Sequence, residues 1–267
     1  MRVLALQYHD VVGPEGPDAS GFPGPGAATY KLDADDFAAH VRAASHAVAS
    51  ARRATAPDLL PRWNAAARGG PPVLLTFDDG GVSAATRAAD LLEGEGWRGH
   101  FFVTTDYVGT RGFCDAGQLR ELHARGHVVG AHSCSHPTRM SRCDDATLRR
   151  EWGGSVARLA DVLGAAPASA SVPGGYFSRR VAEVAAECGV RVLFTSEPVA
   201  RAYVVGGALV VGRYTLRRGS PPAAAAALAA GRVAPRCAQW TAWNAKKVLK
   251  RVAGEGYLRA RSVLLRG

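Results

Sequence analysis

The stretch VLLTFDDG, residues 73–80, sets five apolar or β-branched residues directly before two adjacent carboxylates and a glycine. An apolar run of that length, bounded by turn residues, reads as a buried strand. Downstream the same unit recurs with helices between. AATRAADLLEGEG reads as helix, HFFVTT as strand, DAGQLRELHARG as helix, HVVGAH as strand, and residues 144–163 as a long helix. SASVP is then a strand, SRRVAEVAAECG a helix ending at Gly189, and VRVLFTS a strand. Upstream, VLALQY (3–8) is a strand, GPEGPDASGFPGPG (13–26) a loop, and Asp33 opens an alanine-rich helix with an acidic first turn. Strict βα alternation predicts a parallel sheet covered by helices, with functional groups at the carboxyl ends of the strands. Alternation alone leaves a barrel and an open doubly wound sheet both standing.

Bulk properties agree with a globular chain. The 267 residues are 47% hydrophobic and 21% charged, enough apolar matter for one packed core. The first apolar run is broken at His9 and Asp10, so neither a signal peptide nor a spanning helix is expected there, and a cytoplasmic location follows as an expectation. Five cysteines without C-x-x-C spacing read as reduced thiols. The net charge of +10 is concentrated late: residues 201–267 hold thirteen Lys and Arg against Glu255, which is +12 and leaves −2 for the rest.

Asp78 and Asp79 end one expected strand, and His132 and His136 follow the end of another, in HVVGAHSCSHP. Each motif alone has a bland reading: Asp-Asp-Gly as a capping turn, a His pair as core histidines. Together at strand ends they supply two imidazoles and a carboxylate, a donor set suited to Zn, with Co, Ni or Fe possible. A spacing of four is one helical turn, which would aim both rings at one point.

Thr76-Phe77-Asp78-Asp79-Gly80 with His132-Ser133-Cys134-Ser135-His136-Pro137 resembles the NodB-like polysaccharide deacetylases, carbohydrate esterase family 4, over roughly residues 73–198. The resemblance implies a distorted (β/α) barrel of the NodB-homology type, placed at residues 1–215, and the charge of the tail marks 216–267 as a basic C-terminal helical extension packed on or beside it. It implies a divalent metal on Asp79, His132 and His136, Asp78 as general base, and Gly174 in Pro173-Gly174-Gly175 as backbone donor to the oxyanion. The chemistry agrees. A cation activates water for attack on an amide, and a neighbouring carboxylate takes the proton. The implied substrate is an N-acetylated saccharide; the basic tail and the expected cytoplasmic location extend this to a lipid-linked glycan. The alternatives are a catalytically weak carbohydrate-binding relative and a deacylase of another amide.

Two departures stand out. The family's Arg two residues before the Pro is Ser171 here, and no Asp follows Asp161 and no His follows His136, so the late general acid is missing. His9, at the end of the first strand, and Glu197, at the end of VRVLFTSEP, are the candidates to complete the site. Residues 239–252 read as an amphipathic helix with tryptophans beside lysines, suited either to a solvated face on the barrel or to peripheral membrane contact. No nucleic-acid partner is expected, since no binding module accompanies the charge.

Overall fold

The computed structural model describes residues 1–62 and 70–247. Its strands are β1 (Leu4–Tyr8), β2 (Val11–Val12), β3 (Leu32–Asp33), β4 (Val73–Phe77), β5 (Gly99–Val103), β6 (Val128–Ala131), β7 (Ser169–Ser171), β8 (Val192–Phe194), β9 (Tyr203–Val205), β10 (Ala208–Val211) and β11 (Arg213–Thr215). The helices are α1 (Pro25–Ala28), α2 (Ala34–Ala47), α3 (Ala56–Arg62), α4 (Ala89–Gly94), α5 (Ala116–Ala124), α6 (Asp145–Leu163), α7 (Arg179–Glu187) and α8 (Pro222–Ala229); residues 233–247 form α9.

The main sheet runs β11-β1-β4-β5-β6-β7-β8-β10-β9, parallel except for the edge strand β9. Only Gly212 separates β10 from β11, so one extended strand pairs with β8 through Val211 and Phe194, then with β1 through Arg213 and Ala5. That crossing closes the sheet on itself. The order follows the chain without the reversal a doubly wound sheet requires, so the structure selects the barrel. Gly212 is a close-approach position: a Cβ there would stand 2.4 Å from the Glu197 carbonyl oxygen and 2.5 Å from that of Val199.

Strand alternation divides the barrel into two cores. Inward-facing Ala5, Leu74, Phe102, Val192, Phe194, Leu209 and Val211 fill the interior. The opposite phase, including Leu4, Leu6, Leu75, Phe77 and Phe101, packs under the helices. Continuing the inward phase towards the strands' carboxyl ends gives Gln7, Thr76, Asp78, Ser171 and Arg213, all buried. The polar site is the top layer of the barrel interior.

Local signals set the helix ends. Asp115 and Gln118 form a reciprocal capping box at α5, Asp144 caps α6 through Thr147 N–H, and Gly164 closes α6 in the left-handed conformation. Three expectations needed adjustment. The helix after β4 begins with a π turn at Ala84–Ala88 before α4, the alanine-rich helix expected over residues 33–53 stops at Ala47, and the 13–26 loop contains a 3₁₀ turn at Pro17–Ala19 and the start of α1. Buried Lys31 holds that loop by donating to the carbonyls of Pro17, Ser20 and Phe22 at 2.7, 2.5 and 2.6 Å. All five cysteines are free thiols. Of the amphipathic helix expected at 239–252, residues 239–247 lie in α9 and 248–252 fall outside the described residues. No described helix is long and apolar enough to cross a membrane.

Candidate active site

Asp79, His132 and His136 converge. Asp79 Oδ1 lies 3.5 Å from Nε2 of each histidine, and one ligand atom from each residue falls within 4.8 Å of the others. Those separations suit donors that share one small cation at about 2.0–2.2 Å. His132 Nδ1 donates to the Ser171 carbonyl at 2.9 Å, which turns the Nε2 lone pair inward. His136 packs against Phe22 with the rings tilted by 53° and their centroids 5.0 Å apart. Burial pulls the His136 pKa down and the neighbouring His132 adds to this, favouring the neutral form a ligand needs.

The histidines do not converge by a helical turn, as their spacing had suggested. Residues 132–137 are a loop in which Ser133 (φ 66) and His136 (φ 57) take left-handed conformations. Asp79 does so too, at φ 76, and these three are the positive-φ non-glycine residues among the described ones. Such backbone costs of order 1 kcal/mol or more per residue and persists where the surroundings impose it. In the 132–137 loop the buried Glu151 of α6 holds the backbone by accepting from the amides of Cys134 and Ser135 at 3.0 and 2.9 Å and from Ser135 Oγ at 2.7 Å.

Asp78 is buried and fully engaged. Arg213 donates to it from two nitrogens, at 2.7 Å to Oδ1 and 2.8 Å to Oδ2. Ser171 Oγ adds 2.8 Å to Oδ1 and Gln7 Nε2 adds 2.7 Å to Oδ2. Burial would raise the Asp78 pKa, but the Arg213 guanidinium outweighs it, helped by His132 and His9, and holds the carboxyl far below its ordinary range. Arg213 was not anticipated from the sequence. It takes the part of the arginine missing at Ser171, while Ser171 Oγ lies within hydrogen-bonding reach of Arg213 and His132, each at 3.0 Å.

His9 stands at the same mouth. It lies within electrostatic reach of both Asp78 and Asp79, its ring packs against Tyr30 at 4.8 Å, and its buried Nδ1 has no hydrogen-bond partner among the described residues. Glu197 is placed differently. Its carbonyl accepts from the Arg213 amide at 2.9 Å, while its carboxylate acts electrostatically on Tyr203 of β9. Gly174 has φ 60 in the turn after β7. Hydrogen bonds within that turn come from the amides of Gly175 and Tyr176, which leaves the Gly174 N–H without an acceptor among the described residues. Against this turn rests α9: a side chain at Gly175 would meet Trp243 Cη2 at 3.1 Å, and Gln239 pairs with the backbone of Thr215 at 3.0 and 2.9 Å.

The family model described as polysaccharide deacetylase matches residues 65–193, which contain both motifs. A chitin deacetylase of Colletotrichum lindemuthianum is 32% identical over 66 residues, 24% of this chain and 27% of that protein. An uncharacterized 30.6 kDa protein of Geobacillus stearothermophilus is 28% identical over 144 residues. The chain spans about half of the latter, 52%, and less of the former. Among solved structures, the Streptococcus pyogenes deacetylase PplD in complex with acetate aligns with a TM-score of 0.69 at 18% identity, covering 84% of this chain and 96% of that one. IcaB from Ammonifex degensii aligns at 0.68 and 24%, covering 86% and 97%. A polysaccharide deacetylase from Bacillus cereus aligns at 0.67 and 16%, covering 86% and 69%. At these identities the likeness is one of fold.

Proposed function

We propose, from the premise that this chain is a NodB-like polysaccharide deacetylase, that it hydrolyses the N-acetyl amide of a hexosamine-containing saccharide or lipid-linked glycan to an amine and acetate. The observation that carries this reading is the joining of the Asp79, His132 and His136 cluster to the buried Asp78–Arg213 pair in one layer of the barrel. The three ligand residues fit a divalent cation, zinc foremost with cobalt, nickel or iron as alternatives, which when bound supplies Lewis-acid polarisation of the amide carbonyl and of the attacking water.

The remaining work falls to the chain. Asp78 accepts the water proton from a fixed position. Its strong pairing with Arg213 keeps it ionised at every working pH and weakens it as a base, so it holds that proton only while the tetrahedral intermediate lasts. The Gly174 N–H points its dipole at the developing oxyanion. His9 delivers a proton to the departing amine, a role supported by its place beside both carboxylates and its unpartnered Nδ1. This position also favours an active enzyme over a carbohydrate-binding relative, because binding alone needs neither base nor acid.

The test is acetate release from N-acetylated oligosaccharides and lipid-linked sugars after metal reconstitution, comparing wild type with Asp78→Asn. We expect a loss of at least about a hundredfold with metal content unchanged. Undiminished release would overturn the mechanism.

A further inference from the structure

Away from the mouth, a pocket of about 570 Å³ draws arginines from three distant parts of the chain. Arg2 precedes β1, Arg201 lies in the loop after β8, and Arg236 is on α9; Tyr214, Cys237 and Trp240 add to the wall. No carboxylate lines it among the described residues. Arg2 and Arg201 face each other in an isolated antiparallel bridge, fixed by Val3 N–H to the Ala200 carbonyl at 2.8 Å and Ala202 N–H to the Met1 carbonyl at 3.1 Å. Residues directly opposed across antiparallel strands project to the same side, where like charges repel.

Neither Arg2 nor Arg201 has an ion-pair partner among the described residues, although other arginines there are paired, from Arg87 with Glu15 at the surface to Arg213 with Asp78 in the interior. Arg236 is held rigid by donating from Nε to Tyr214 Oη at 3.0 Å and from Nη1 to the Gly231 carbonyl at 3.1 Å, which leaves Nη2 for another acceptor. Three arginines that line one concavity, with no carboxylate lining it among the described residues, form a receptor for a compact, multiply charged oxyanion. Trp240, 49% exposed at the rim, offers an apolar face to whatever the anion is attached to.

We propose that this pocket binds a phosphate ester, with the phosphate among Arg2, Arg201 and Arg236 and its organic substituent along Trp240. The site is separate from the hydrolytic residues and does not depend on the deacetylase reading. The helix α9 runs between the two places: Trp240 lines the pocket, and Trp243, one turn further along, touches the Gly174–Gly175 turn. A rise of about 4.5 Å separates the two tryptophans along the helix axis.

The test uses the full chain. Inorganic phosphate is titrated calorimetrically, and in parallel the protein is sedimented with phosphatidylcholine vesicles with and without phosphatidic acid. Each measurement compares wild type with the Arg2→Ala, Arg201→Ala double variant. Both side chains are exposed, so the double variant should keep its melting temperature. Should it melt early, Arg201→Gln alone carries the comparison.

Phosphate affinity is expected to fall by on the order of tenfold or more in the variant. Capture by phosphatidic acid that the substitutions abolish identifies a lipid headgroup as the source. Phosphate binding without vesicle capture identifies a soluble phosphate ester. Absence of binding to wild type in both arms, or binding that the substitutions leave unchanged, overturns the proposal.

Discussion

Asp78 and Asp79 are chain neighbours with the same side chain, and the fold gives them opposite surroundings. Asp78 faces a fixed guanidinium, whereas Asp79 faces two imidazoles. Arg213→Gln would leave Asp78 buried with Gln7 and Ser171 as its main donors, costing about 3–5 kcal/mol of stability and most of the acetate release. Arg213→Lys keeps a charge but loses the two-nitrogen grip, so its melting temperature and turnover should fall between wild type and Arg213→Gln. Equal values for the Lys and Gln variants would show that charge at this place is irrelevant.

Backbone strain at Asp79 gives a second expectation. Asp79→Gly should abolish metal binding while the metal-free protein melts no lower than metal-free wild type, since glycine relieves about 1 kcal/mol at φ 76. Metal analysis and calorimetry on apo samples decide it, and a lower apo melting temperature would refute strain at that residue.

At the scale of elements, the site depends on β10 and β11 acting as one strand bent at Gly212. Gly212→Ala puts a methyl against two backbone carbonyls that cannot step aside as a side chain could. The strand must shift, and Arg213 moves with it. We expect destabilisation of about 1–3 kcal/mol, or several degrees of melting temperature, together with loss of acetate release. A stable, fully active variant would show that the closure tolerates slack. The loop bearing His132 and His136 depends on a neighbouring element in the same way, since Glu151 of α6 fixes its amides.

For the molecule as a whole, acid stability has a definite sign. His100 is fully buried, with Ala56 N–H donating to Nε2 at 2.8 Å and Nδ1 on the Leu75 carbonyl at 3.0 Å, and burial pushes its pKa down to about 4 from 6.5. The unfolded chain therefore takes up the proton first. His100 contributes its full stability above about pH 6.5 and loses it as pH falls towards 4, in total on the order of 3 kcal/mol. Urea unfolding across that range should show the decline, and His100→Asn should flatten it. An unaltered slope in the variant would assign the decline to other groups.

Much of this was legible before folding. The βα rhythm, the Asp pair and the His pair are local patterns, each set by a strand and the turn that ends it, so residues 73–80 and 127–137 announce both a layer of the fold and its chemistry. Arg213 was not legible because it sits in a basic stretch where one arginine looks like the next. The available signal was weak: the apolar run Ala208–Val211, then Gly212 and Arg-Tyr-Thr, a strand whose charged residue falls in the inward phase. Glu197 was a candidate by its place in the chain, whereas Arg213, which the strand's phase sets beside Asp78, was not. The sequence by itself determined which residues carry reactive groups and that they end strands, because those are properties of neighbours along the chain. Only the tertiary structure decided which distant side chain neutralises Asp78, because the partner of a buried charge is set by barrel closure and strand phase.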